Sequence, residues 1–323
     1  MRVFLTGATG FIGGEVARLL RERGDDVRAL VRSPAKAADL AAIGCELVQG
    51  DLSDEAALRT ALQGCDAVVH SAAVYEIGVP EDRKAELVDA NVYGTERVLG
   101  AALAAGVSRA VYVSTVAVFG DTRGQIADET WQRPEGQAFT SVYEQTKVEA
   151  HQRAQEICSR GLPLVTVLPG VVYGPGDHSE LGGLFDRLLK GQLPLVPFAD
   201  MGVTPVHRDD VASGIVLALD KGVAGESYVL AGEPTRMGDL LAALARVAGR
   251  RPPRGSLPSV LIRSMVPFGR FVGPLLGFPQ NLRELVSSSD GVTFWGRSDK
   301  AQRELGWTFR PLDEGLATVV AAR

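Results

Sequence analysis

The chain has 323 residues, of which 46% are hydrophobic and 23% are charged, and its formal net charge at pH 7 is −5. These values are typical of a folded globular protein and argue against a disordered or fibrous chain. The weakly acidic charge offers no basic surface, so we expect no nucleic-acid partner. Three cysteines and four histidines are dispersed along the chain, and their spacing predicts no metal site.

The first residues lead from Met1 directly into an apolar strand, which leaves no space for a signal peptide, so a cytoplasmic location is expected. The most apolar later segment, residues 259–279, contains Arg263, Arg270 and three prolines. It is expected to be an ordinary packed helix rather than a membrane-spanning one, and no membrane partner is predicted.

Short apolar segments alternate with amphipathic segments of helical length, which indicates repeated strand–helix–strand units and a parallel sheet. Helices are predicted over 11–23, 35–43, 54–63, 82–105, 140–160 and 209–220. Strands are predicted at RVFLT, DVRALV, CELVQGD, DAVVHSA, RAVYVST, LVTVLP and ESYVLAG. The expected fold is α/β, a doubly wound Rossmann sheet of about seven parallel strands.

Proline and glycine become frequent after residue 168 and again from 251 to 280, which predicts a smaller, interleaved C-terminal lobe. We expect residues 1–168, with a return segment at about 206–232, to form the cofactor-binding domain. Residues 169–205 and 233–323 are expected to form the substrate-binding lobe, with its pocket built by segments 75–90, 174–205 and 251–295.

The glycine-rich turn TGATGFIG joins the first strand to the first helix and spaces Gly7, Gly10 and Gly13 three residues apart. Unpaired N–H groups at a helix start attract phosphate, and glycine lets the phosphate approach the backbone. Gly7 would allow the tight turn, Gly10 the approach of a pyrophosphate, and Gly13 close packing of helix on strand. A glycine turn without a ligand is the plainer alternative, but the strand–helix–strand context favours dinucleotide binding.

The second strand ends with Val31 and Arg32, where NAD-binding proteins usually carry an acidic residue. Ser33 and Lys36 follow closely, so the 2′-phosphate of NADP would meet hydrogen-bond donors and positive charge. NADP(H) is therefore favoured over NAD, although a solvated arginine at a strand end would look the same. Asp51, after the third strand, could accept a hydrogen bond from the adenine amino group.

Tyr143 and Lys147 lie four residues apart and so share one face of a helix. A neighbouring ammonium is expected to lower the pKa of the phenol from its usual value of about 10 and make it a usable acid or base. Ser114 and Thr115 end the fifth strand, at the sheet edge where such folds bind ligands. One of these hydroxyls could hold a substrate carbonyl, and the other would cap the strand.

The chain resembles the extended short-chain dehydrogenases/reductases of the NAD-dependent epimerase/dehydratase superfamily, in the branch that includes dihydroflavonol reductases and 3-beta-hydroxysteroid dehydrogenases. The resemblance runs almost from end to end. Its motifs are TGATGFIG, GDL, HSAA, NVYGT, VSTVAVFG, YEQTK, LPGVVYGPG, PVHRDDVA and SDKAQRELGW.

The resemblance implies that Thr115 supplies the catalytic hydroxyl with Ser114 as its neighbour or substitute, Tyr143 is the acid/base, and Lys147 binds the nicotinamide ribose. It also implies that Asn91 supports the strand edge near the nicotinamide. The residues expected to bind the cofactor are Gly7, Thr9, Gly10, Phe11, Ile12, Gly13, Arg32, Asp51, Leu52, Ser71, Ala72, Ala73, Asn91, Tyr143, Lys147, Pro169, Gly170, Val171 and Val172.

Two departures from the family patterns narrow the expected reaction. Sugar dehydratases have two acidic residues after the threonine, where this chain has Val116 and Ala117. Nucleotide-sugar enzymes commonly read R-D-Y-I-H-V-x-D, and alignment on His207 puts Val203 in the place of the arginine that clamps the diphosphate. Arg263 or Arg270 could substitute for it, and His207 itself is expected to be structural.

We therefore predict an NADP(H)-dependent carbonyl reductase or alcohol dehydrogenase for a small to medium, rather apolar ketone, aldehyde or secondary alcohol. Two alternatives stay open: a nucleotide-sugar epimerase with a retained NAD(P), and a non-catalytic NADP-sensing protein. The resemblance also implies a homodimer through the helices near 82–105 and 140–160, although packing within one chain would explain the same amphipathic helices.

Overall fold

A computed structural model describes residues 1–269 and 278–323. Residues 270–277, which include Arg270 and part of the apolar segment 259–279, lie outside the described residues. The strands of the described part are β1 Arg2–Thr6, β2 Asp26–Val31, β3 Glu46–Gln49, β4 Ala67–His70, β5 Arg109–Val113, β6 Leu164–Pro169, β7 Val171–Tyr173, β8 Val196–Pro197, β9 Gly202–Val203, β10 Pro205–His207, β11 Ser227–Leu230, β12 Thr235–Arg236 and β13 Ser256–Leu257.

The α-helices of the described residues alternate with the long strands in the first two thirds of the chain. They are α1 Phe11–Glu22, α2 Ala38–Ala42, α3 Glu55–Leu62, α4 Lys84–Val88, α5 Gly94–Ala105, α6 Val142–Ser159, α7 Glu180–Leu189, α8 Arg208–Lys221, α9 Met237–Val247, α10 Ser259–Met265, α11 Leu282–Ser289 and α12 Leu312–Ala321.

Seven strands form the central sheet in the order β11-β6-β5-β4-β1-β2-β3, and every neighbouring pair is parallel. The predicted doubly wound sheet of about seven strands is confirmed. The strand order reverses between β1 and β4, the point at which such sheets bind ligands beyond the carboxyl ends of their strands. Thr6 pairs with His70 in this register, so the glycine turn and the HSAA segment emerge side by side.

Helices cover both faces of the sheet because the alternate side chains of each strand point to opposite sides. Val3 and Leu5 of β1 belong to a core cluster that includes residues of α1 and α8. Phe4 belongs to a second cluster with residues of α3, α5 and α6. The central strands are buried on both faces, which accounts for their continuous apolar sequences.

Two predicted helices are not regular α-helices throughout. The helix predicted over 82–105 consists of α4, a π-helical turn at Asp89–Tyr93, and α5. The helix predicted over 35–43 is a 3-10 turn at Pro34–Lys36 followed by α2. The helices predicted over 11–23, 140–160 and 209–220 agree with α1, α6 and α8 to within about two residues, the usual uncertainty of a helix end.

The later part of the chain forms a third cluster from α7, α9 and α12, together with short two-stranded ladders. It is fastened to α8 through Asp210, whose carboxylate accepts from Arg310 Nη2 at 2.8 Å and whose backbone carbonyl accepts from Trp307 Nε1 at 2.7 Å. His207 is buried and bonds to Thr318 at 3.0 Å, in keeping with the structural role expected for it. Within the described residues, none of the helices has the length and apolarity needed to cross a membrane.

Candidate active site

The backbone of the first turn requires glycine at two of the predicted positions. Gly7 has a φ of +76°, and a Cβ on it would lie 2.7 Å from the backbone nitrogen of Ala72. A Cβ on Gly13 would lie 2.2 Å from the carbonyl oxygen of Gly7. The tight turn and the close packing expected of these glycines are therefore present in the fold.

The start of α1 is suited to an anion. Its N-cap is Gly10, which has no side chain to occupy the free N–H groups, and its first turn contains no acidic residue. A helix start of this kind carries roughly half a positive elementary charge. Thr9, Phe11 and Ile12 line the cavity at this point, so the residues present fit a dinucleotide pyrophosphate.

The residues predicted for the adenosine end lie beyond the lining of that cavity. Arg32 directly follows β2 and is exposed. One carboxylate oxygen of Asp51 accepts from the backbone N–H and the hydroxyl of Ser53, each at 3.0 Å. Leu52 packs under Gly94, where a Cβ would lie 3.0 Å from Leu52 Cδ1. The second carboxylate oxygen of Asp51 takes no part in these two bonds.

Asn91 connects three elements rather than lining the cavity. Its side chain accepts from the N–H of Val74 at 2.7 Å and donates to the carbonyl of Val74 at 2.9 Å and to Thr146 Oγ1 at 3.0 Å. It lies in the π-helical turn, a feature frequent at functional sites. Asn91 thus fixes the segment after β4 against α6, next to Lys147.

Helix α6 presents Tyr143 and Lys147 to the cavity. Ser141 caps the helix by accepting from the N–H of Glu144 at 3.0 Å, and Glu144 Oε2 accepts from the N–H of Thr140 at 2.7 Å. These two bonds fix the start of the helix directly before Tyr143, its second residue. The orientation of the pair is therefore set by the backbone of α6.

Lys147 points to the fifth strand rather than to the phenol. Its ammonium donates to the carbonyl of Val113 at 3.1 Å and lies 5.2 Å from the ring centroid of Tyr112. Burial lowers the pKa of Lys147 to about 8, because the charged form loses hydration. The ammonium still has N–H groups free for a ligand, since one of its three donors is used.

The expected acidification of Tyr143 is wrong for the chain without ligands. Burial raises the pKa of the phenol well above its ordinary value, and the hydroxyl of Thr115 lowers it by a smaller amount. The spacing of four residues correctly predicted that Lys147 and Tyr143 share one face of α6. The ammonium of Lys147, however, bonds to the backbone carbonyl of Val113. Tyr143 is accordingly a neutral phenol that holds its proton at pH 7.

The two candidate hydroxyls have different partners. Ser114 is buried, and its Oγ lies 3.0 Å from Nδ1 of His151, one turn after Lys147 on α6. Thr115 Oγ1 accepts from the N–H of Ala117 at 3.2 Å, and the hydroxyl faces Tyr143. Thr115 is thus the hydroxyl closer to the phenol, as the family alignment implies, although it also makes the capping bond.

The segment from Pro169 to Val172 forms one wall of the cavity. Val171 donates to the carbonyl of Thr204 at 2.9 Å, and a Cβ on Gly170 would lie 2.1 Å from that same oxygen. Pro169, Gly170, Val171 and Val172 all line the cavity. The close approach of Thr204 explains why glycine occupies position 170.

One cavity of about 1550 Å³ connects the glycine turn, the side chains of Tyr143 and Lys147, and the segment after β6. All of the predicted cofactor residues line it except Arg32, Asp51, Leu52 and Asn91. Its other end is largely apolar and includes Ile77, Phe198, Met201, Val203, Met237, Phe278, Leu285 and Phe294. Each of the three segments predicted to build the pocket contributes to this wall, and Met237 lies outside them.

Several cavity residues were missed by the sequence reasoning. The ring of Tyr75 stands edge-on to Tyr143 with centroids 4.8 Å apart, and its hydroxyl lies 3.5 Å from Glu180. Loss of hydration raises the pKa of Glu180 to about 7, although the residue is exposed to solvent on one side. Arg208 lies at the opposite end, beside Phe11. No local pattern identifies these residues, because their neighbours in space are distant in sequence.

The comparison with known families agrees with this geometry. The sequence model described as "NAD dependent epimerase/dehydratase family" matches residues 3–231. The chain belongs to this family. It is 32% identical to a Synechocystis sp. protein named "Putative dihydroflavonol 4-reductase", over 98% of this chain and 93% of the relative.

A second relative is a Stigmatella aurantiaca protein named "4-hydroxy-2-methyl-3-oxo-4-farnesyl-3,4-dihydroquinoline-1-oxide ketoreductase", 32% identical over 96% of this chain and 92% of its own. The crystal structure of gox2253 matches with a TM-score of 0.84 at 34% identity, over 99% of this chain and 97% of the other. The predicted class, an extended short-chain dehydrogenase/reductase that uses NAD(P) to oxidise CH–OH groups or reduce carbonyls, is confirmed.

Proposed function

We propose that this protein is an NADP(H)-dependent carbonyl reductase and alcohol dehydrogenase for a small to medium, apolar ketone, aldehyde or secondary alcohol. The observation that carries the proposal is the continuity of the cavity. A glycine turn suited to pyrophosphate, the side chains of Thr115, Tyr143 and Lys147, and an apolar chamber share one space of about 1550 Å³. Relatives whose names denote ketoreductases agree with this class.

In the direction of reduction, the residues of this chain act on the carbonyl oxygen. The nicotinamide, when bound, supplies the hydride. Thr115 donates a hydrogen bond that positions the oxygen, and Tyr143, which is protonated at neutral pH, transfers its proton to that oxygen as negative charge develops. The ammonium of Lys147, held by the carbonyl of Val113, has two further N–H groups with which it would bind the ribose.

The choice of NADP(H) over NAD rests on the end of β2. Arg32 is exposed there and Ser33 follows it, so a 2′-phosphate would find a guanidinium and a hydroxyl. An acidic residue, which would hold the ribose hydroxyls of NAD and repel that phosphate, is absent from positions 31–36.

A nucleotide-sugar epimerase is the second candidate, because the family name includes epimerases. The cavity wall argues against it: Val203, in the position of the diphosphate-clamping arginine, is buried in that wall. Arg263 does not replace it, since this side chain is 62% exposed and pairs with Asp290. Val116 and Ala117 line the cavity where dehydratases carry acids. A non-catalytic sensor is disfavoured because both Tyr143 and Lys147 face the cavity.

The deciding experiment follows the absorbance of reduced nicotinamide with a panel of apolar ketones, aldehydes and sugar nucleotides. We expect stoichiometric NADPH oxidation with one or more ketones or aldehydes. Interconversion of a sugar nucleotide without net oxidation, detected by NMR of the product, would instead assign the epimerase. NADPH binding without turnover of any compound in the panel would favour the sensor.

A homodimer through α5 and α6 is also part of the proposal. One face of each helix already packs inside the chain, through residues such as Val98, Leu99, Ala150 and Ala154. The opposite faces would form the interface. Light scattering coupled to size-exclusion chromatography should give a mass near twice 34.3 kDa, and the mass of one chain would reject the dimer.

A further inference from the structure

The pyrophosphate end of the cavity lacks a countercharge within the glycine turn itself. Residues 6–14 contain no lysine or arginine. The start of α1 offers N–H groups and about half a positive elementary charge. A pyrophosphate carries negative charge on both of its phosphoryl groups, so a cation from another element would strengthen its binding.

Among the described residues, the lysine and arginine side chains that line the cavity are Lys147, Arg187 and Arg208. Lys147 is held at the end of β5 by the carbonyl of Val113. Arg187 belongs to the last turn of α7, in the substrate half. Of these three described side chains, Arg208 is the one at the start of α1, where its guanidinium carbon is 5.3 Å from the ring centroid of Phe11.

The guanidinium of Arg208 is held in place before any ligand binds. Its Nη1 donates to the carbonyl of Pro175 at 2.8 Å, and its Nε donates to Asp209 Oδ1 at 3.0 Å. Nη2 lies 3.0 Å from the same carboxylate oxygen. Each terminal nitrogen carries two hydrogens, so both retain an N–H for a ligand.

The charges around Arg208 leave it able to attract an anion. Asp209 is its direct partner, but this carboxylate is also 3.8 Å from Arg310, which pairs with Asp210. Two arginines therefore balance two aspartates, and the side of Arg208 that faces the cavity meets Phe11 instead of an acid. The pattern R-D-Y-I-H-V-x-D has valine after its histidine, and this chain departs from that pattern with Arg208 after His207.

We infer that Arg208 is a cofactor-binding residue that contacts the pyrophosphate from the side opposite the start of α1. This inference rests on the proposed function. It separates two cationic roles: Arg32 recognises the 2′-phosphate and distinguishes NADPH from NADH, whereas Arg208 binds the part that both dinucleotides share. The rigid planar fork of arginine suits paired phosphate oxygens.

The test measures dissociation constants of NADPH, NADH and adenosine 2′-monophosphate by titration calorimetry on the full chain. Arg208→Met should weaken NADPH and NADH by the same factor, about 10- to 100-fold, the usual effect of a lost hydrogen bond to a charged group. It should leave adenosine 2′-monophosphate, which lacks a pyrophosphate, within about twofold. Arg187→Met is the matched control and should change none of the three constants.

Arg208→Lys retains the charge without the fork and should recover part of the affinity, which keeps the test valid if the methionine variant folds poorly. Unchanged affinity for both dinucleotides in either variant overturns the inference. A loss confined to NADPH also overturns it, because Arg208 would then bind the 2′-phosphate. Failure of the unmodified chain to bind either dinucleotide would overturn the proposed function itself, which distinguishes the two failures.

Discussion

The two ends of the cavity are built in different ways. The cofactor end comes from nearly contiguous residues, 6–14, together with the ends of strands that pair in register with β1. Its shape depends on backbone that approaches backbone, as where Gly13 meets the carbonyl of Gly7. The substrate end collects side chains from widely separated segments, among them Ile77, Phe198, Met237 and Phe294.

This difference determines how each end tolerates substitution. Where backbone lies against backbone there is no space for a side chain, so particular positions of the cofactor end require glycine. An apolar wall requires only side chains of suitable volume, so many sequences could build the substrate end. The following experiments use this contrast, beginning at the junction of the two ends.

Replacement of Tyr143 by phenylalanine should have the largest effect. Loss of the phenolic proton is expected to reduce turnover by about 100- to 10,000-fold, the usual contribution of a positioned acid/base. Cofactor affinity should stay within about twofold, because the ring and its packing against Tyr75 remain. Steady-state kinetics and calorimetry provide the two measurements, and undiminished turnover would remove Tyr143 from the mechanism.

Gly13→Ala tests the backbone contact at the cofactor end. Its new Cβ would lie 2.2 Å from a carbonyl oxygen that cannot rotate away, so the free energy of unfolding should fall by about 3 kcal/mol. NADPH should bind at least about tenfold more weakly, because this turn carries the anion site. Urea denaturation and calorimetry measure the two changes.

The neighbouring glycine is the control for that experiment. A Cβ on Gly14 would meet its nearest atom, the carbonyl oxygen of Ala8, at 3.4 Å, an ordinary contact. Gly14→Ala should therefore change the free energy of unfolding by no more than about 1 kcal/mol, in the stabilising direction that helix propensity predicts. Equal losses in both variants would contradict the backbone explanation.

Arg32→Glu tests the cofactor preference. A carboxylate in this position would repel the 2′-phosphate and could accept from ribose hydroxyls, so NADPH should bind at least about tenfold more weakly while NADH binds equally well or better. The ratio of the two dissociation constants is the measurement. Parallel losses for both cofactors would mean that the 2′-phosphate binds elsewhere.

Tyr75→Ala tests the substrate end, where we expect substitutions to be tolerated better than at the cofactor end. Removal of the ring that packs edge-on against Tyr143 should lower kcat/KM about threefold to tenfold, the size of a lost aromatic contact. The dissociation constant of NADPH should not change. Tyr93, an exposed residue of the π-helical turn, provides the control, and Tyr93→Ala should affect neither quantity.

The smallest expected effect is on the pH dependence of stability, and it concerns His151, the hydrogen-bond partner of Ser114. Burial and the charge of Lys147 lower the pKa of His151 to about 4, below its unfolded value of about 6.5. The unfolded chain therefore binds more protons between these values, and stability is lost as the pH falls through that window. In His151→Gln, the loss between pH 7 and pH 5 should be about 1 kcal/mol smaller.

Urea midpoints at the two pH values measure this difference. His178→Gln is the control for the loss of an imidazole, because His178 is exposed. A slope in His151→Gln equal to that of the unmodified chain would show that His151 is not held neutral in the folded state.

Most of the sheet could be predicted because its strands are buried on both faces and their apolar sequences are continuous. The π-helical turn within the helix predicted over 82–105 could not be predicted, since it accompanies the bonds of Asn91 to Val74 and Thr146. The hydrogen-bond partner of Lys147, the carbonyl of Val113, could not be predicted either. Helical spacing gives the face of a side chain, whereas the atom it reaches depends on the strand packed beneath it.

By itself the sequence determined the alternation of strands and helices, the glycine turn, and the shared face of Tyr143 and Lys147, because each depends on residues close together along the chain. Only the tertiary structure decided which hydroxyl faces the phenol, that burial raises the pKa of Tyr143, and that Arg208 reaches α1. These features depend on the exclusion of solvent and on contacts between residues that are far apart along the chain, such as Phe11 and Arg208. Neither leaves a periodic signal in the sequence.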